Sequence, residues 1–290
     1  MGCTLCPRMC GVDRNEIVGF CGMGGQIKLA RAALHFWEEP CISGDKGSGT
    51  VFFSGCVMRC VFCQNYHISA NGEGKEVTVE RLSEIFLELQ GQGAHNINLV
   101  NPTHFVPQII EALDRVKTEL TIPIVYNSGG YERVETLQIL DGYVDIYLPD
   151  IKYYSEDAAK EYSLAPNYFE TAMAAVEEML RQTGKPVFEG ELLKKGTIVR
   201  HLVLPSLYKD SIEVISRVGE KFGQDILFSL MSQYTPFHKA KEIPTLARRL
   251  TTFEYRKALD AVYSAGLEGY MQEKSSAKEE YTPEFDLTGV

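Results

Sequence analysis

The sequence predicts an α/β fold on a parallel sheet, with a partial barrel and a doubly wound sheet both open on pattern alone. Three observations carry this. Residues 50 to about 232 alternate short apolar runs with amphipathic segments. The runs are β-branched or aromatic and nearly continuous, as strands covered on both faces should be. The cysteine loop Cys56-Val-Met-Arg-Cys60-Val-Phe-Cys63 follows the first run directly, where parallel α/β folds carry their active sites.

In chain order, residues 1–49 form a Cys- and Gly-rich extension with little periodicity. Residues 50–235 form the core. Its strands are expected at Thr50–Phe53, Asn96–Val100, Pro123–Tyr126, Val144–Leu148, Ile198–Leu204 and Ile226–Met231. Thr78 is placed to cap a helix carrying Leu82, Ile85, Phe86 and Leu89 on one face. Further helices are expected through Val106–Leu113, Val134–Leu140, Phe169–Leu180 and Ile212–Phe222. This alternation implies right-handed βαβ units, and six units are too few for a closed eightfold barrel. Residues 236–290 are expected to be helical, ending in a loosely ordered polar tail from about 272.

Composition narrows the function. The 290 residues hold 39 acids against 29 bases, a formal charge of −10. No basic excess exists to meet phosphates, so a nucleic-acid or membrane-surface binder is not expected. No apolar stretch is long enough to span a bilayer. The start lacks a signal-peptide pattern, and Cys6 breaks the myristoylation pattern, so a cytoplasmic location is expected. Eight cysteines in a reducing compartment point to metal or redox work rather than disulfides.

All eight cysteines lie in the first 63 residues. C-x3-C-x2-C leaves an iron–sulfur cube one thiolate short, because a cube normally takes four. The competing reading is a structural Cys3His zinc site that adds His67. Upstream, Cys3, Cys6, Cys10 and Cys21 offer four thiolates in a Gly-rich wrap, suited to a second iron–sulfur cluster or to zinc. Cys41 is left over, as a spare ligand or a loop residue.

At these residues the chain resembles the radical S-adenosylmethionine (SAM) superfamily, in the group related to pyruvate formate-lyase activating enzymes. The resemblance runs over about residues 1–235, through Cys3-Thr-Leu-Cys6-Pro-Arg-Met-Cys10-Gly, Trp37-Glu-Glu-Pro-Cys41-Ile-Ser-Gly44, the C-x3-C-x-Phe62-Cys signature, Cys63-Gln-Asn65 and Asn101-Pro-Thr-His-Phe105. It implies a partial (β/α)6 TIM-like barrel. It implies that Cys56, Cys60 and Cys63 bind a [4Fe-4S] cluster whose fourth iron is chelated by S-adenosylmethionine. One electron, from a donor such as ferredoxin or flavodoxin, then yields methionine and a 5′-deoxyadenosyl radical that abstracts hydrogen from a substrate. Phe62 is placed to support the adenine or to pack the loop.

Polar residues at the other strand ends complete the expected site. The superfamily's Gly-Gly-Glu stretch is absent; Asn101, Thr103 and His104 stand in its place, with Asn101 the expected contact of the methionine amino group and His104 an alternative helix cap. Asn127 and Ser128 precede Gly129-Gly130, a pair that admits a ligand or makes a turn. Asp150 and Lys152 share one face of a strand end. The interior Arg200 needs an anionic partner, and the resemblance implies the methionine carboxylate; His201 should face the other way. Ser232, Gln233 and Tyr234 close the last strand. No catalytic residue is named. The substrate, small molecule or protein, is not legible; activation of a glycyl-radical enzyme, a non-catalytic iron–sulfur electron carrier and a zinc-stabilised binding module are the alternatives.

Overall fold

The computed structural model describes residues 2–272 and 283–290. Strands β1 (Ile27–His35), β2 (Ser48–Phe53), β3 (Lys75–Val77), β4 (Ile97–Val100), β5 (Ile124–Ser128), β6 (Ile146–Pro149), β7 (Val187–Glu189), β8 (Leu192–Leu202), β9 (Leu227–Met231) and β10 (Gly269–Met271) form the sheet. Its order is β10-β9-β8-β6-β5-β4-β2-β1-β3, with β7 paired to β8. From β2 to β10 neighbouring strands along this path are parallel; β1 and β3 add on antiparallel at the far edge.

All six expected strands are present. Along the parallel run the spatial order repeats the chain order without a reversal. A doubly wound sheet would reverse at a switch point, so the fold is the open, partial-barrel form. The helices are α1 (Pro40–Ser43), α2 (Tyr66–Ser69), α3 (Val79–Gly91), α4 (Val106–Val116), α5 (Val134–Gln138), α6 (Glu156–Ser163), α7 (Tyr168–Thr183), α8 (Tyr208–Phe222) and α9 (Thr252–Ser264). Thr78 Oγ1 accepts from the Arg81 amide and starts α3 as expected, burying Leu82, Ile85, Phe86 and Leu89.

Side-chain alternation divides the sheet into two faces. Leu99, Tyr126, Tyr147 and Val199 pack into the main core, which includes the buried faces of α3, α4, α7 and α8. On the opposite face Val125, Ile146, Leu148 and Ile198 form a smaller cluster with Cys41 and Ile42 of α1. Residues two further along, Asn127, Asp150 and Arg200, carry that face upward into a cavity. The N-terminal extension therefore plugs the floor of the half-barrel, and Cys41 is a buried floor residue.

The extension also supplies β1, which the sequence reading did not foresee. The end of the chain differs from its expectation as well. Residues 273–282 lie outside the described residues. Residues 283–290 dock along β1: Ala32 N donates to Thr288 O, Leu287 N to Ala30 O, and Phe285 packs edge-on against Phe52.

Candidate active site

Most groups of the cavity sit at or just beyond the C-terminal ends of parallel strands, and Glu38 of the floor segment reaches Arg200 from an adjoining cavity. The loop after β2 carries the three thiols. Gly55 leads into it at φ +81°, where a β-carbon would lie 2.7 Å from Cys21 O, so no other residue fits without displacing the N-terminal extension. Cys56, Cys60 and Cys63 line a cavity of about 220 Å3. Each sulfur holds a hydrogen bond: Met58 N to Cys56 Sγ at 3.3 Å, Ser163 Oγ to Cys60 Sγ at 3.0 Å, and Cys63 Sγ with Ser69 Oγ at 3.2 Å.

The thiols are half-buried. Burial pushes Cys56 up to about 12 and Cys60 up to about 11, and each neighbouring thiolate adds to the rise. Burial also raises Cys63. Three thiolates can coexist here only beside compensating positive charge, which the irons of a cluster provide. Among the described residues no three His, Cys, Asp or Glu side chains converge on a single ion. His67 pairs with Glu73 at 3.0 Å instead of joining the thiols. Three thiols, with His67 turned to Glu73, are a donor set that suits a cluster with one thiolate per iron.

Opposite the thiols lies a buried ionic ring. Arg200 donates from Nε to Asp150 Oδ1 at 2.9 Å, from Nη1 to Glu38 Oε2 at 3.2 Å and from Nη2 to Asn127 Oδ1 at 2.6 Å. Lys152 Nζ reaches Asp150 Oδ2 at 2.5 Å. Glu38 Oε1 also accepts from Asn98 at 3.0 Å and Asn127 at 3.2 Å. Burial works to raise Asp150, but Arg200 and Lys152 outweigh it and hold the carboxyl below its usual range. Burial raises Glu38 and Glu39 against the pull of Arg200. Glu39 Oε2 is buried with no hydrogen-bond partner.

The structure gathers Phe62, Asn101, Asn127, Ser128, Asp150, Lys152 and Arg200 around this cavity together with the cysteines. Gln233 and Tyr234 join them, and Phe62 meets Tyr153 and Tyr234 edge-on. Asn101 donates to Gly55 O. Thr103 is not brought in: fully buried, it donates to Glu132 Oε1 at 2.7 Å. His104 caps no helix; its Nε2 meets Ser54 O at 2.7 Å. His201 faces away as expected, against Ile151 O. Gly129 lines the cavity, whereas the missing β-carbon of Gly130 makes room for Asp150 O. Glu38 was not foreseen: it lies well before the first barrel strand, and nothing local shows that the floor segment turns its carboxylate upward.

The family model described as the radical SAM superfamily matches residues 50–217. The chain belongs to the radical SAM superfamily. Membership makes it a radical enzyme acting on S-adenosylmethionine, in a superfamily that implies an iron–sulfur cluster. It is 31% identical over 267 residues to uncharacterized protein MJ0674 of Methanocaldococcus jannaschii, covering 89% of this chain and 73% of that protein. Among solved structures, methylornithine synthase (PylB) aligns with a TM-score of 0.51 at 14% identity, over 89% of this chain and 74% of that one. Streptococcus suis SuiB bound to its precursor peptide SuiA aligns with a TM-score of 0.50 at 14% identity, over 75% of this chain. This chain spans 46% of the SuiB length, and both likenesses concern the fold. Among the described residues no helix is long and apolar enough to cross a membrane.

Proposed function

We propose that Cys56, Cys60 and Cys63 hold a [4Fe-4S] cluster with one open iron, and that the ionic ring binds the methionine end of S-adenosylmethionine beside it. When bound, the pair supplies reductive cleavage to methionine and a 5′-deoxyadenosyl radical, which abstracts hydrogen from a substrate. The observation that carries this reading is the placement of three half-buried, hydrogen-bonded thiols with Asp150, Lys152 and Arg200 on one cavity, Glu38 meeting Arg200 from the adjoining one.

The ring suits a zwitterion. Glu38, Glu39 and Asp150 outnumber Arg200 and Lys152, and an ammonium group would take up the surplus carboxylate. Glu38 stands where the superfamily's missing Gly-Gly-Glu carboxylate is needed, and it supplies the formal charge that Asn101 lacks. Arg200 uses three of its five N–H groups in the ring, leaving two for a carboxylate. Phe62, Tyr234 and Phe237 give the cavity an aromatic wall on which adenine can pack. A small donor protein such as ferredoxin or flavodoxin is the proposed electron source. The substrate is proposed to enter by the adjoining cavity of about 120 Å3, walled by Trp37, Phe52, Phe237 and Pro283.

Anaerobic protein reduced with dithionite should release 5′-deoxyadenosine from S-adenosylmethionine. An iron–sulfur carrier would release none, and that result would refute the reading.

A further inference from the structure

The four cysteines of the extension are not used by the site above, yet the structure draws them together. Cys10 and Cys21 place their sulfurs 3.4 and 3.5 Å from the point where Gly19 would carry a β-carbon. The Cys3 side chain lies beside that of Cys10. Cys6 lies within electrostatic reach of Cys3 and Cys21, and Cys21 within reach of Cys3 and Cys10.

The backbone closes residues 3–23 into a compact loop around the four. Cys3 N donates to Val12 O at 2.8 Å, Gly11 N to Cys3 O at 3.0 Å, Met9 N to Cys6 O at 3.0 Å and Gly22 N to Gly19 O at 2.9 Å. Cys21 Sγ meets Met23 O at 3.9 Å.

We propose that Cys3, Cys6, Cys10 and Cys21 hold a second iron–sulfur cluster of the [4Fe-4S] type, closed by four thiolates. A cube gives each of the four thiolates its own iron, and zinc held by the same four is the outcome that the test separates from it. The absent side chain at Gly19 leaves room against two of the sulfurs. The site adjoins the radical loop directly, since Cys56 N donates to Cys21 O at 3.1 Å.

The test is a chain with Cys56, Cys60 and Cys63 all changed to Ala, reconstituted anaerobically with iron and sulfide. It should bind about four irons and four sulfides and give a reduced-cluster EPR signal. Adding Cys3→Ala and Cys10→Ala should remove them. One zinc without sulfide, no metal, or iron that survives the added changes would overturn the proposal. Wild-type protein gives a second measure that does not depend on how the variants fold: about eight irons per chain support it and about four refute it. Loss of 5′-deoxyadenosine release alone bears only on the radical loop.

Discussion

The two cysteine loops are built alike and surrounded differently. In each a glycine leaves room where a side chain would collide with or crowd the surroundings, Gly55 in the radical loop and Gly19 in the N-terminal one. The radical loop opens onto a cavity with a buried ionic ring. The N-terminal loop lines no such ring, and its Cys10 is exposed. Both loops gather thiols that can ligate metal, and the surroundings decide whether a bound cluster can also react. A thiol short in one loop, with cation and carboxylate partners opposite, is the arrangement that leaves an iron free for a substrate.

The sharpest break of this comparison is Cys56→Ala. It should reduce 5′-deoxyadenosine release to background in an anaerobic assay while leaving the iron of the N-terminal loop in place. Equal activity in the variant would mean that the loops had been assigned the wrong way round. Next in size is Gly19→Val. A β-carbon alone would make ordinary contact with the Cys10 and Cys21 sulfurs; the added methyls would overlap them. Iron content should fall from about eight to about four per chain, a loss read by metal analysis and EPR. Glu38→Gln acts on the ring alone. A hydrogen bond to a charged group contributes about 1.5–3 kcal/mol, so equilibrium dialysis should show S-adenosylmethionine binding weakened roughly 10- to 100-fold. An unchanged affinity would remove Glu38 from the amino-group contact.

Much of the scaffold was legible in the sequence because its signals are local. Six of the seven parallel strands contain short apolar runs, β10 being the exception, and α3 announces itself by Thr78 and a helical stripe. The radical loop was legible because its three ligands fall within eight residues. β1 was hidden: Ile27–His35 follows a Gly-rich stretch and belongs to an edge whose partners, β2 and β3, lie later in the chain. Glu38 and Cys41 were misread for a related reason. Their roles depend on the floor segment turning into the half-barrel, a placement set by contacts with β4, β5 and β8 rather than by neighbours in sequence. Thr103 looked like a site residue because it follows a strand end, but the buried carboxyl of Glu132 claims its hydroxyl.

The same comparison has a smaller acid-sensitive side. The radical loop leans on His104, whose Nε2 meets Ser54 O and lies 3.3 Å from where Gly55 would carry a β-carbon. No histidine occurs among residues 1–34, so the N-terminal loop has no such prop of its own. Burial holds His104 down at about 3. The unfolded histidine, near 6.5, takes up a proton that the folded one refuses. Stability from this residue is therefore complete above about pH 6.5 and is lost as the pH falls toward 3, by at most about 1.4 kcal/mol per unit. His104→Gln keeps a donor for Ser54 O but cannot titrate. Urea unfolding at pH 7.5 and pH 5 should show a stability loss on acidification that is smaller in the variant by up to about 2 kcal/mol. Identical losses in the two proteins would show that His104 is protonated without cost and that the loop does not depend on its neutral form.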